Sequence, residues 1–476
     1  MSDLHEECGV FGIYDPSGDP AATTYYGLVS LQHRGQEGCG IAVNRDRETF
    51  HYKDQGLVNE VFNEEILDRL KGRMAIGHVR YSTAGGKTRE NVQPLVLRYI
   101  KGSLAISHNG NITNTAEIKH ELEHNGAIFQ TTSDTEIIAY LIARERINTP
   151  SIEEAVKKAM QRLKGAFSLL VMSPNKLIAA RDPWGFRPLS MGKRDRAIVF
   201  ASETCAFDAI DAHFVRNILP GEVVTVEDGN IRTDTELCGN SSHLCIFEHI
   251  YFARPDSIIE NEVVHECRKR AGAFLAQQAP VDADIVIGVP DSGLSAAQGY
   301  AEYSGIPEDT GFIKNKYIAR TFIKPTQNSR ETAVKMKLNV LKSAVAGKRV
   351  VMVDDSIVRG TTSGRIVKML RDAGAKEVHV RISSPPFTHP CFFGTDVPSG
   401  DQLIANIMSI EETAKYIDAD SLEYLSLENL KKIAPNSSCG FCAACFTGEY
   451  PTPVPVTQLK DRFERKISHG SASAAE

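Results

Sequence analysis

The sequence predicts two joined domains of different class, a layered α+β domain over residues 8–235 and an open α/β domain over residues 258–400. The first half alternates short apolar runs with Gly and Asn turns: GVFGIY, GCGIAVN, AIGHVRYS, SLAISHNG, FSLLVM, KLIAARD and AIVFAS. Runs of that length bounded by turn residues are strand signals. Between them, residues 115–125 and 134–146 repeat apolar positions at three- and four-residue spacing, which predicts helices laid on a sheet-rich domain. The second half carries near-continuous Val/Ile runs, ADIVIGVP, KRVVMVDD and EVHVRISSP, separated by helical stretches. Strands buried on both faces of a parallel sheet read this way. Residues 295–303 form one of its helices, and the helix after VVMVDD places Ile366, Val367 and Leu370 on one face with Gly374 as its C-terminal stop. Residues 401–476 read as a mixed helical segment ending in a charged, then small and polar, frayed tail.

At 476 residues the chain is long enough for two cores. Its 54 basic and 60 acidic residues give a net charge of −6, with no basic domain to serve as a nucleic-acid footprint. No apolar run is long enough to span a bilayer, and the acidic start MSDLHEECGVF lacks the basic and apolar regions of a signal peptide. The expectation is a cytoplasmic protein bound to neither membrane nor nucleic acid. Of 10 cysteines most are isolated, but Cys439, Cys442 and Cys445 are bunched. In a reducing compartment such a bunch points to a metal or cluster site rather than to disulfides.

Cys8 opens the first strand. By itself it reads as a small buried hydrophobe. The alternative is removal of residues 1–7, which would make Cys8 the N-terminal residue, with a free α-amine of pKa about 7.7–8.0 as base for its own thiol. Four further segments stand in order behind it: Gln32-His33-Arg34-Gly35, Gly77-His78-Val79-Arg80-Tyr81-Ser82-Thr83, His108-Asn109-Gly110-Asn111 and Thr131-Thr132-Ser133-Asp134. HNGN alone would be an ordinary Asn-Gly turn.

In the second half, an apolar strand delivers Asp354 and Asp355 to its carboxyl end, where open α/β sheets bind ligands. Arg359, Gly360, Thr361, Thr362 and Ser363 then lead into a helix, offering hydroxyls and N–H groups at its positive end, as a phosphate site requires. An N-cap cluster would account for Thr362 or Ser363, but not for the paired acids. The basic stretch from Lys314 through Lys337 reads by itself as a solvated surface segment.

The five N-terminal segments together resemble the glutamine amidotransferase domain of the N-terminal-nucleophile hydrolases, which implies a four-layer αββα fold. By that resemblance Cys8 is the nucleophile, Arg80 binds the α-carboxylate of glutamine, Thr83 joins that site and Asp134 binds the α-ammonium. Asn109 and Gly110 would form the oxyanion hole. VVMVDDSIVRGTTS resembles the phosphoribosyl pyrophosphate (PRPP) motif of type I phosphoribosyltransferases. It implies that Asp354 and Asp355 hold the ribose hydroxyls and Mg²⁺, and that Arg359 to Ser363 cradle the 5′-phosphate. Val289-Pro290-Asp291-Ser292-Gly293 resembles the pyrophosphate loop, with Ser292 near the metal, and 314–337 the closing loop, with Lys337 on PRPP. Lys316 stands where relatives carry Arg, keeping the charge without the bidentate fork.

The order of the two halves, joined through His249 to Ser257, resembles the amidophosphoribosyltransferases over nearly the whole chain. The resemblance implies transfer of ammonia from glutamine to PRPP, giving 5-phosphoribosylamine, glutamate and pyrophosphate at the committed step of purine synthesis. It also implies one Mg²⁺ per subunit, purine-nucleotide feedback inhibitors, a homodimer or homotetramer, and Tyr251 in the motif connecting the sites. Cys245, Cys391, Cys442 and Cys445 fall where the iron–sulfur subclass, which has cleaved propeptides, places the ligands of one [4Fe–4S] cluster per subunit. Cys439 competes with Cys442 and Cys445, and zinc is the runner-up metal. A different ammonia acceptor conflicts with the PRPP motif, and a non-catalytic PRPP sensor would have no use for Arg80, Asn109 and Asp134.

Overall fold

The computed structural model describes residues 8–81, 88–315, 338–395, 397, 399–437 and 439–455. Strand Gly9–Tyr14 sets the layering of the first domain. Its side chains alternate between two faces, as a period of two requires. Val10 and Tyr14 pack with Ile76, Ala105, Leu170 and Met172 between two sheets. Phe11 and Ile13 pack on the other side with Ala21 and Leu28 of helix Pro20–Ser30 and with Leu31, which caps its C-terminus. The first sheet has seven strands, with Gly9–Tyr14 paired antiparallel between Met74–Arg80 and Ala197–Ala201. The second has six strands, with Gly102–Ile112 beside Gly165–Met172. At Gly12 a Cβ would stand 2.9 Å from Leu170, so the absent side chain lets the sheets close on each other. Helices Thr115–His124, Asp134–Ile147 and Ile152–Arg162 bury Leu122, Ile138, Leu141, Val156 and Met160 against the far face of the second sheet. The result is the αββα stack that the resemblance implies.

The second domain is built on a parallel sheet in the order Ile285–Gly288, Arg349–Asp354, Glu377–Ile382, Ser421–Tyr424. Val286, Val351 and Val353 face helices Val264–Gln278 and Leu294–Ser304, while Ile287, Val350 and Met352 face helix Thr361–Asp372. Burial on both faces explains why these strands read as unbroken Val/Ile runs. The expected C-terminal stop Gly374 has φ 96°, open to glycine at little cost. One expectation changes: the fourth strand, Ser421–Tyr424, comes from the segment read as mixed helical, so the sheet runs past residue 400.

Helices Val264–Gln278 and Leu294–Ser304 cross almost backbone to backbone. A Cβ at Gly272 would lie 1.8 Å from the Ala296 carbonyl oxygen, and one at Gly299 would lie 1.9 Å from that of Lys269. Gly272→Ala must push the helices apart, with an expected loss of about 1–3 kcal/mol or more. A urea midpoint unchanged from the parent would show that the crossing relaxes freely.

After that sheet the chain returns to the first domain. Gly440–Cys442 pairs in parallel with His243–Cys245, Phe393 stacks on Phe186 at 4.2 Å, and Asn111 donates to the Phe392 carbonyl at 2.7 Å. Among the described residues no helix is long and apolar enough to cross a membrane. The expected propeptide 1–7, the segment 316–337 with Lys316 and Lys337, and the tail from 456 lie outside the described residues.

Candidate active sites

Cys8 stands at the head of strand Gly9–Tyr14, buried, with Sγ donating to the Tyr81 carbonyl at 3.2 Å and accepting from the Tyr81 N–H at 3.4 Å. Gly9 pairs with Val79, so Cys8 and Arg80 are the next residues of the two strands. Gly35 of the QHRG segment is required where it passes this edge, since a Cβ there would lie 2.6 Å from the Arg80 backbone. Thr83 lies outside the described residues.

HNGN is not a turn. It lies within strand Gly102–Ile112, in register with Gly165–Met172. Gly110 has φ 143°, and a Cβ there would sit 2.1 Å from the Ala166 carbonyl oxygen, so no other residue suits the position. Asn109 is fully buried, and among the described residues neither its amide nitrogen nor its oxygen has a hydrogen-bond partner. Burying such a group unpaired costs about 1–3 kcal/mol, which a bound ligand would recover. His78 Nε2 lies 3.0 Å from the His108 carbonyl oxygen, tying this strand to the one that ends at Arg80. Asp134, first residue of its helix, accepts the Ile112 N–H at 3.2 Å and lies 3.5 Å from His108 Nδ1. Burial favours its neutral form, but His108 and the N–H groups of Ile112 and Thr135 prevail and hold the carboxyl below its ordinary value. The structure thus joins HNGN to TTSD, and Cys8 to Arg80.

On the other sheet, strand Arg349–Asp354 delivers Asp354 and Asp355, both buried, to the carboxyl end of the sheet. Ser292 Oγ donates to Asp355 at 2.6 Å across 63 residues, and Ser356 Oγ donates to its other oxygen. The loop of Ser292 is pinned by the Val289 N–H to the Val353 carbonyl at 2.9 Å, and includes a cis Pro290–Asp291 peptide. Burial first, then the neighbouring Asp355, pushes the Asp354 carboxyl well above its ordinary value, which a bound cation would reverse. Helix Thr361–Asp372 starts at Gly360, φ 77°, with no capping side chain and no acid in its first turn, leaving its positive end to an anion. Arg359 and Thr361 are exposed beside it, Thr362 is half-buried and Ser363 is buried. Strands Phe312–Lys314 and Leu338–Val340 pair antiparallel on either side of 316–337.

Among the cysteines, Cys245 is in register with Cys442 across the parallel ladder. Burial, then Cys391, Cys245 and Cys442, pushes the Cys445 thiol well above its ordinary value, so these three lie close enough to act on it. Burial and Cys391 push Cys442 up to about 12. Cys439 instead meets Ser437 Oγ at 2.9 Å and feels Glu260 and Arg181. Among the described residues no three His, Cys, Asp or Glu side chains converge as ligands of one metal ion would.

One group of residues has no role in the motif reading. Arg34, of QHRG, is fully buried between Glu203 at 2.6 Å and Glu248 at 2.9 Å. Burial would lower its pKa, but the two carboxylates outweigh it and hold the guanidinium charged. His33 and Arg34 likewise hold Glu203 far below the usual carboxylate range against its burial. Three segments distant in sequence build this network, so no local spacing signals it.

The described sites and folds define a glutamine amidotransferase joined to a phosphoribosyltransferase. A glutamine amidotransferase domain model matches residues 78–209, and a phosphoribosyl transferase domain model matches residues 259–383. The chain is 52% identical over 456 residues to the amidophosphoribosyltransferase of Bacillus subtilis, covering 95% of each. It is 48% identical to that of Methanocaldococcus jannaschii, covering 96% of this chain and 100% of that one. A solved structure, glutamine PRPP amidotransferase from B. subtilis complexed with ADP and GMP, superposes with a TM-score of 0.88 at 50% identity, covering 95% of this chain and 99% of that one. The chain belongs to the amidophosphoribosyltransferase family, glutamine-dependent glycosyltransferases of the committed step in purine biosynthesis.

Proposed function

We propose that glutamine hydrolysis occurs at Cys8 within a domain of residues 8–235, after removal of residues 1–7, and that residues 258–400 with strand Ser421–Tyr424 carry transfer to PRPP. The observation that carries this reading is the buried amide of Asn109, which has no hydrogen-bond partner among the described residues. The Cys8 amine takes the thiol proton, and Sγ attacks the carboxamide carbon of glutamine. The oxyanion accepts hydrogen bonds from Asn109 and the Gly110 N–H. Collapse breaks the C–N bond, the amine returns its proton to the leaving nitrogen, and ammonia departs from a thioester that water hydrolyses to glutamate. Arg80 pairs with the α-carboxylate and Asp134 with the α-ammonium of the substrate.

In the second site Arg359 to Ser363 hold the 5′-phosphate, and Asp354 and Asp355 orient the ribose. Neutral ammonia adds to C1 as pyrophosphate leaves. The raised Asp354 carboxyl fits a cation here, and Mg²⁺, held by Ser292, Asp354 and Asp355, would neutralise the leaving pyrophosphate. Feedback by purine nucleotides is part of this reading, since the similar B. subtilis structure is described as complexed with ADP and GMP. The working form is a homodimer or homotetramer in the cytoplasm.

Cys245, Cys391, Cys442 and Cys445 would hold a structural [4Fe–4S] cluster, for which four thiolates are the usual complement. The action of Cys391, Cys245 and Cys442 on Cys445, against that of Glu260 and Arg181 on Cys439, supports this set over one containing Cys439. The test is intact mass, N-terminal sequence and iron content of protein purified without oxygen. A chain starting at Cys8, with iron lost on Cys442→Ser but kept on Cys439→Ser, is expected. A chain starting at residue 1 in protein that hydrolyses glutamine would sink the amine mechanism.

A further inference from the structure

The network around Arg34 connects the main chain of Cys8 to the segment that joins the domains. Arg34 Nε donates to the Cys8 carbonyl at 3.0 Å. Its two terminal nitrogens donate to the two oxygens of Glu248 at 2.9 Å each, a bidentate pair, and one also reaches Glu203 at 2.6 Å. All three side chains have no exposure. Glu248 begins the turn Glu248–Phe252, which contains Tyr251. Arg268, of the first helix of the second domain, donates to the His249 carbonyl at 2.9 Å and the Ala253 carbonyl at 2.8 Å. Glu203 accepts from Ser257 Oγ at 2.7 Å and the Arg254 N–H at 2.9 Å, so it grips the same connecting segment further on. Arg187, 3.5 Å from Glu248, donates to the Phe393 carbonyl at 2.7 Å.

The cleaved state makes the contact to the Cys8 carbonyl matter. With residues 1–7 gone, nothing covalent restrains Cys8 on its N-terminal side. The hydrogen bond to its carbonyl then holds the peptide group attached to the Cα that carries both amine and thiol. A guanidinium held bidentate by one carboxylate has a set plane, and the one that sets Arg34 belongs to the connecting segment. We propose that Glu248 is a positioning residue for glutamine hydrolysis: acting through Arg34, it holds Cys8 in its reactive place and ties that place to the segment between the domains. The inference rests on Cys8 being the nucleophile.

The experiment compares the full-length parent, Glu248→Gln and Cys8→Ala with glutamine and with ammonium chloride as donor. Glu248→Gln keeps the shape and removes the charge. Its kcat for glutamate release is expected to fall about tenfold or more, with the KM for glutamine and ammonia-dependent synthesis each within about twofold of the parent. Equal loss with both donors would show a merely structural role and overturn the inference. So would an unchanged kcat, or a rise in KM alone. If Glu248→Gln yields no folded protein, Glu248→Asp decides: it keeps the charge and withdraws the fork, so a smaller but glutamine-selective fall in kcat is expected, and a parental kcat overturns the inference. Cys8→Ala separates the two readings. If it still consumes glutamine, the nucleophile assignment fails; if it does not and Glu248→Gln behaves as parent, only the role of Glu248 fails.

Discussion

Cys8→Ala is expected to abolish glutamine-dependent synthesis, by a factor on the order of 10³ or more, while ammonia-dependent synthesis stays near the parent rate. The proposed chemistry gives the first domain one nucleophile, and alanine keeps the α-amine but removes the atom that forms the thioester. The fold should tolerate the change. The thiol meets main-chain groups of Tyr81, and the Arg34 contact is to the Cys8 carbonyl, which alanine retains. The second domain has its own sheet and its own buried clusters. The check is pyrophosphate release with each donor in turn, at alkaline pH for ammonium chloride so that neutral ammonia is present. Persistent use of glutamine would refute Cys8 as nucleophile. Loss of both activities would mean that the two domains do not work independently.

Strand periodicity and strand-end acids made much of this molecule legible in its sequence. The helices expected over 115–125, 134–146 and 295–303 are Thr115–His124, Asp134–Ile147 and Leu294–Ser304, because each has an apolar stripe and a local stop. The paired acids were readable since Asp354 and Asp355 end a run of Val and Met that can only be a buried strand. Strand Ser421–Tyr424 was not readable: four residues, SLEY, carry too short a pattern, and only pairing with Glu377–Ile382 makes them a strand. Spacing also could not separate Cys439 from Cys442 and Cys445, whereas Cys439 faces Ser437 and the pair Glu260–Arg181. Glu203 and Glu248 show a deeper limit. A lone Glu in a sequence reads as solvated surface, and both are fully buried because Arg34 arrives from a distant loop to neutralise them.

Asp355→Asn is expected to lower PRPP transfer on the order of 10²-fold or more with either donor, and at the same time to stabilise the protein in the absence of Mg²⁺. The loss follows from removing half of the charge proposed to hold the cation, at a residue fixed by Ser292 and Ser356. The stabilisation follows from Asp354. Its carboxyl is held well above its ordinary value by burial and then by Asp355. A carboxyl whose folded pKa is raised favours the folded state below its unfolded pKa, and that contribution is lost as pH rises through the folded value. At neutral pH the buried Asp354 carboxyl therefore weakens the metal-free fold. Asparagine removes the neighbouring Asp355 contribution, brings the Asp354 carboxyl down and relieves part of that cost. Thermal unfolding at pH 7 should give a higher midpoint for Asp355→Asn than for the parent without Mg²⁺, and a smaller rise when Mg²⁺ and PRPP are added. Near pH 3, below the unfolded Asp pKa of about 3.9, the difference should shrink. A variant less stable than the parent at pH 7 without metal would contradict the view that the acid pair is retained for binding at the expense of stability.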